Sequence, residues 1–256
     1  MFPFRSLEGW APMRRALFEF LVIVIGVLVA LAADEWRQER AELQDLDEHL
    51  ASVLEEVRDN ADTVRVVRAG ISARKMAGLE SVIAHLESGD PSVPDPDALL
   101  KDFAESAAVW RPFISRNSFD ALKTSGLLRL ARDEELDDNI SGTYEVPEIL
   151  FGQVALIQGE YPIVVNEFIP SPYQSDLSGM RTYSGGKAPQ IALDIGAAEA
   201  VALIHEERAR LLRLARSETA VAPAVWYALT RSLDDFYELE QLLAGRLGVP
   251  AEAGAQ

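Results

Sequence analysis

The sequence predicts an all-α fold: a transmembrane helix that continues into a long helix packed in an extracytoplasmic helical bundle. Three observations carry this expectation. Ala16–Ala33 (ALFEFLVIVIGVLVALAA) is an apolar stretch with Glu19 as its only charge. No Gly or Pro occurs between Val27 and Ala69, so nothing interrupts a helix leaving that stretch. Beyond it, apolar residues recur at three-and-four spacing, the period of an amphipathic helix.

The apolar stretch comes first. Eighteen helical residues reach ~27 Å at ~1.5 Å per residue, close to the ~30 Å hydrocarbon core of a bilayer. Arg14 and Arg15 precede it and can snorkel outward, and Trp36 suits the far interface. Ala30-Leu31-Ala32 also fits the small-x-small site of a signal peptide cleaved after Ala32, and a buried core helix is a third reading. The unbroken helix that follows favours a retained anchor. Arg14 and Arg15 abut the span while Arg37 and Arg40 follow it, so the expected topology is N-terminus in the cytoplasm and the main domain outside. Glu19 is four residues after Arg15 and can pair with it one turn inside the interface; a functional intramembrane carboxylate is the alternative. Gly26 and Ala30 form a small-xxx-small pair that lets two helices approach.

From Trp36 the signal is a heptad. Trp36, Leu43, Leu50, Val57, Val64 and Ile71 recur at sevens, with Glu39, Leu46, Val53, Asn60, Val67 and Arg74 three later. Such a seam faces either a second copy of the chain or other helices of its own domain. Residues 34–69 would project ~54 Å as a stalk. A helical stripe then runs through Met76, Leu79, Val82, Ile83 and Leu86, loosened by Gly70 and Gly78. Gly89–Pro96 holds three prolines and reads as a loop. Asp97 opens a short helix through Phe103 that Trp110-Arg111-Pro112 breaks.

Asn117 or Ser118 can cap the next helix, which Gly126 ends, and Asp133 caps another with Glu134 and Glu135 in its first turn. Ile149 to Phe168 reads as one helix started or kinked by Pro147 and Pro162. From Ile169 to Ile195 the pattern lapses into a long loop carrying Tyr173, Met180, Arg181, Tyr183 and Lys187, the expected binding loop. Val201 to Ala215, with Glu206-Glu207-Arg208 facing outward, and Val225 to Leu243 form the last helices, with Pro223 between them; Gly245, Gly248 and Pro250 end the pattern. The domain reading is a cytoplasmic tail at 1–15, a span at 16–33, one acidic helical domain at 34–250 and a disordered tail at 251–256.

Composition bounds function. The chain has 256 residues and a net charge of −17; residues 1–33 carry three Arg and two Glu, so the remainder carries −18. A domain that acidic repels phosphate backbones, which argues against nucleic acid. With no cysteine, disulfides, thiolate metal sites and cysteine nucleophiles are excluded. Ser184-Gly185-Gly186-Lys187 fails as a phosphate loop, since Arg181 stands where a Gly is needed and Ala188 follows Lys187. His205-Glu206-Glu207-Arg208-Ala209 lacks the second His of a zinc helix, and His49, His85 and His205 lie far apart in sequence. Glu55-Glu56 and Asp234-Asp235 are adjacent residues and read as solvated faces. No catalytic, metal or cofactor residue is expected.

Leu17–Arg40, LFEFLVIVIGVLVALAADEWRQER, resembles the N-terminal membrane segment of a family of bacterial single-pass proteins without an assigned activity. The similarity rests on Glu19, the Leu28–Leu31 exit and Trp36, and on Ala121–Leu136, ALKTSGLLRLARDEEL. It covers about forty residues and departs at Ala33-Asp34-Glu35, where the family exit is rich in Asn. The resemblance implies an inner-membrane anchor with an outer helical domain and adds no mechanism.

The function expected is that of a membrane-anchored scaffold or interaction module without catalysis. Its expected partners are the bilayer, a second copy through the heptad helix, and an unidentified membrane or envelope protein. A ligand sensor acting through a membrane partner is the second reading, since about fifteen residues before the span are too few for an output domain. An enzyme built on an unrecognised carboxylate site is the third.

Overall fold

A computed structural model describes residues 10–108, 111–131, 133–157, 159–170 and 195–251. Every element among them is helical and no strand occurs. The order is α1 (Trp10–Gly70), a π-helical turn (Ile71–Lys75), α2 (Met76–Ser88), α3 (Pro96–Ser106), α4 (Asn117–Ser125), α5 (Leu128–Ala131), α6 (Glu134–Ile157), α7 (Tyr161–Phe168), α8 (Ala197–Glu206) and α9 (Arg208–Leu247).

The first three of these form one rod. Gly70 and Met76, which flank the π turn, both keep right-handed helical dihedrals, so the axis passes from α1 into α2 without a loop. It ends where Gly89 adopts φ +67°, a left-handed cap that glycine takes without steric cost. Arg208 closes this end from α9, its Nε donating to the Leu86 carbonyl and its Nη2 to the Glu87 carbonyl at 3.1 Å. Those are carbonyls a helix leaves unpaired in its last turn. Arg208 is therefore half-buried and structural, contrary to the outward face expected of it.

The rod changes environment at Leu46. Leu17 to Leu31 is exposed, as are Trp36 and Leu43, whereas Leu46, Leu50, Val53, Val57 and Val64 are fully buried. The partner of that buried seam is α9, which runs antiparallel to it: Arg58 meets Glu240, and Lys75, seventeen residues later, meets Glu218. Leu229, Leu233, Phe236, Leu239 and Leu243 supply the facing stripe. The seam is thus filled by the chain's own last helix. Of the 36 residues expected as a stalk, only 34–45 lie outside the packed seam, ~18 Å of largely exposed, mainly acidic helix at 1.5 Å per residue.

Two hydrophobic cores lie end to end along the rod. One is built from α1, α4, α6 and the second half of α9, with Phe119, Tyr144 and Phe236 at its centre. The other joins α2, α3, α7, α8 and the first half of α9 around Phe103, Tyr161 and Ile204. The π turn of the rod and the stretch around Glu218 on α9 cross the boundary between them.

Several boundaries differ from expectation. Ile149–Phe168 is not one helix: α6 carries Pro147 in its interior and ends at Ile157, and α7 starts at Tyr161 with Pro162 in its first turn. Position 162 needs no intrahelical N–H donor there, so proline starts α7 rather than kinking it. Pro223 likewise sits inside an unbroken α9. The helix expected at Asp97 starts at Pro96, with Asp95 as its cap accepting from Ala98 N at 3.0 Å. Asp133 caps α6 through Leu136 N at 3.1 Å, and Gly126 ends α4 with φ +68°, both as expected.

Candidate functional site

Two regions stand out: the bare apolar surface of α1 and a polar layer between the two cores. The first follows from composition. An 18-residue window near the N-terminus has a mean hydropathy of 2.5 and none of it is buried. By length and composition this helix can cross a membrane. Glu19 and Ala30 are exposed on it, and a Cβ added at Gly26 would meet nothing within 4 Å. Arg14 and Arg15 belong to α1, but their side chains, and so the expected Arg15–Glu19 pair, lie outside the described residues. Trp36 is exposed, with the Arg40 guanidinium 5.7 Å from its ring centroid. Tyr173, Met180, Arg181, Tyr183 and Lys187 all fall outside the described residues.

The polar layer was hidden in helical stripes. Lys75 occupies a core position of the rod, four residues after Ile71 and four before Leu79. Glu218 does the same on α9, between Ala215 and Ala222. Both side chains are buried, and Lys75 Nζ lies 2.5 Å from Glu218 Oε1 while also donating to the Ala108 carbonyl at 2.9 Å. Pairing offsets the desolvation penalty of the two buried charges, and removing either partner leaves the other uncompensated. Glu218 Oε2, however, is buried with no hydrogen-bond partner. Tyr161 lies close enough for the Glu218 charge to help raise its phenol pKa above the ordinary range. Burial is the larger cause, and the 2.6 Å hydrogen bond with Ser106 opposes it.

Beside this pair is a cavity of about 170 Å³. Ile71, Phe151, Val154 and Val221 are among its apolar lining, and Lys75 and Glu218 also line it. The exposed Arg111 completes the charged part of the lining. A shallower concavity of about 400 Å³ shares Arg111 and Phe151, and includes the exposed Phe113 and the half-buried Arg116. There Arg116 is already engaged with Glu148 at 2.7 Å.

A second buried carboxylate is wholly committed. Glu56 accepts from Ser115 Oγ (2.9 Å), Ser118 N (2.9 Å), Phe119 N (3.2 Å) and Tyr144 Oη (2.8 Å). It therefore caps α4 from a distant helix, and neither Asn117 nor Ser118 does so. Asn60, one turn on, exchanges two hydrogen bonds with the Ser115 backbone at 2.9 and 2.8 Å, which accounts for an amide in the seam. Burial, then the bond to Glu56, pushes the Tyr144 phenol above its ordinary range.

The solvated-face reading of the carboxylate pairs is thus half corrected: Glu55 is exposed and Glu56 buried. Asp235 is also buried, paired with Arg231 at 2.7 Å, and burial raises its pKa against the opposing Arg231 charge. Of the three histidines, His85 and His205 are electrostatic neighbours across α2 and α8. Among the described residues no group of three or more His, Asp or Glu is placed to hold a metal.

Comparison with protein-family models, with curated proteins and with solved structures finds no match.

Proposed function

We propose that this chain is a single-pass protein of the bacterial inner membrane, and that its acidic helical domain stands on the periplasmic side as a non-catalytic scaffold or interaction module. One observation carries the reading. The bare apolar face of Leu17–Leu31 continues without a break into a helix whose other end is the spine of the domain. A soluble domain gains nothing from exposing fourteen apolar residues, whereas a bilayer removes that surface from water at roughly 25 cal/mol per Å².

The absence of catalysis is supported by how the buried acids are used. Glu56 is held by four donors and Glu240 is paired with Arg58, whereas Glu218 is engaged by Lys75 through Oε1 alone. Pairing between copies, if it occurs, falls to the neck and the span, because α9 already fills the seam from Leu46 onward. Trp36, Leu43 and the open face around Gly26 and Ala30 remain for that contact.

The test is crosslinking and pull-down of the full chain from solubilised membranes, repeated with Glu19→Ala and with the 169–195 segment shortened. Loss of a specific partner in either variant supports an interaction module. Recovery of the chain in the soluble fraction without any membrane treatment refutes the reading. A sensor acting through a membrane partner is the second reading, favoured by the cavity at the junction of the two cores.

A further inference from the structure

We propose that the surface where the rod and α9 run side by side past the junction of the two cores docks an acidic segment of another protein. The proposal deepens the reading of the chain as an anchored interaction module and rests on it.

Charge singles this surface out. Residues 34–256 carry −18, yet the rod holds no Asp or Glu from Thr63 to Leu79, and α9 holds none from Thr219 to Leu233. The two stretches are neighbours, because the helices are antiparallel and Arg68 meets Trp226 just as Lys75 meets Glu218. At ~1.5 Å per residue they form a belt roughly 22–26 Å long. Its cations are Arg65, Arg68, Arg74, Lys75 and Arg231. Lys75 is buried against Glu218, whereas Arg68 is half-buried and the other three arginines are exposed. Arg65 and Arg231 reach Asp62 and Asp235, acids just outside the belt. A guanidinium has five N–H donors, so one such pair does not exhaust it.

The side chains at the centre suit an interface. Trp226 is 41 % and Tyr227 61 % exposed, and the Arg68 guanidinium lies 5.5 Å from the Trp226 ring centroid. Trp, Tyr and Arg are the residues most enriched at binding hot spots, since each joins a large rigid surface to a polar edge. A guanidinium stacked on a ring keeps its fork of donors in a fixed plane, the geometry that a carboxylate matches with two parallel hydrogen bonds.

Other anions fit less well. Asp59 and Asp62 bound the belt on one side, and Glu80, Asp234 and Asp235 on the other, so a nucleic-acid backbone longer than ~25 Å would run onto acidic surface. The belt begins ~45 Å along the rod from Ala33, beyond reach of the lipid headgroups at the span. A second copy in the same bilayer holds its acidic neck, 34–45, within ~18 Å of the span and so well below the belt. A short acidic segment with an apolar side chain to cover Trp226 and Tyr227 satisfies both the charge and the rings.

The experiment places a photo-crosslinking benzoylphenylalanine at Tyr227 of the full chain in its native cells. Glu145 and Glu199, exposed and off the belt, carry it in two control chains. The expected result is an adduct at 227 whose crosslinked peptide comes from another protein and has a net negative charge. Its yield in isolated membranes should fall as salt rises from about 0.15 to about 1 M, where the screening length drops to about 3 Å. Arg65→Glu and Arg68→Glu should each lower it about tenfold, and Arg68→Lys should restore most of it. Melting temperatures identify a variant that is merely unfolded, and Arg65→Glu, at an exposed site, then stands alone. The proposal is overturned if 227 gives no more adduct than the controls, if the captured peptide is not acidic or belongs to a second copy, or if charge reversal leaves the yield unchanged. Adducts at the controls alone strike the belt and spare the interaction module; no adduct at any of the three positions strikes both.

Discussion

Lys75 and Glu218 are 143 residues apart and meet at 2.5 Å where the two cores abut. Each would be a buried, isolated charge without the other. Lys75→Met alone should therefore destabilise the domain by about 3–5 kcal/mol, and the double variant with Glu218→Met by far less. Urea denaturation of the three proteins decides it: a double variant as unstable as the single one would show that the pair is not what sets the cost.

Glu56 makes a sharper contrast with its neighbour. Glu56→Gln presents an amide N–H to groups that are themselves donors, and should cost about 3 kcal/mol. Glu55→Gln, on the exposed side and paired only with Arg58 here, should change stability by less than about 0.5 kcal/mol. Equal losses in the two variants would contradict the capping role.

Gly78 reverses a general rule. Glycine to alanine in a helix interior ordinarily gains about 1 kcal/mol. A Cβ at Gly78 would stand 2.8 Å from the Asp102 carbonyl oxygen and 3.0 Å from Ser106 N, both backbone atoms of α3. Gly78→Ala should thus lower stability by about 1–3 kcal/mol, while Gly152→Ala, which meets nothing, should raise it. A melting temperature raised by Gly78→Ala would mean that α2 and α3 do not pack this closely.

His85 gives a pH dependence. Burial holds its pKa below the ordinary 6.5, the neighbouring His205 lowers it further, and Asp90 opposes both. The unfolded chain then takes up this proton first as pH falls. The contribution to stability is whole above about pH 6.5 and declines as pH drops below it. Thermal unfolding between pH 7.5 and 5 should show a falling melting temperature, and a shallower fall in His85→Asn. Parallel profiles would assign the decline elsewhere.

The helical fold was legible because its signals are local. The uninterrupted run to Ala69, the prolines of Gly89–Pro96, the cap at Asp133 and the stop at Gly126 each depend on residues within a turn or two. What covers the heptad seam was not legible: Leu50, Val57 and Val64 have the same spacing whether they face a second chain or Leu233 and Phe236. The polar sites stayed hidden for the same reason. Glu56 draws its donors from residues 115–144, so beside Glu55 it looked like surface. Lys75 and Glu218 did leave a trace, each a charge at a core position of an apolar stripe, and the two are opposite in sign. That pattern, read across both helices, is the signal that would have found the junction.

The proposal that the rod begins in a bilayer is open to one direct measurement, helped by a sequence without cysteine, in which every introduced thiol is unique. Single cysteines at Val22, Val29, Glu42 and Asp62 in the full chain would be challenged in intact cells with a membrane-impermeant maleimide. The account predicts no labelling at Val22 and Val29 and ready labelling from outside at Glu42 and Asp62. Equal labelling at all four, or an N-terminal tag lost from the mature protein by cleavage after Ala32, would contradict it.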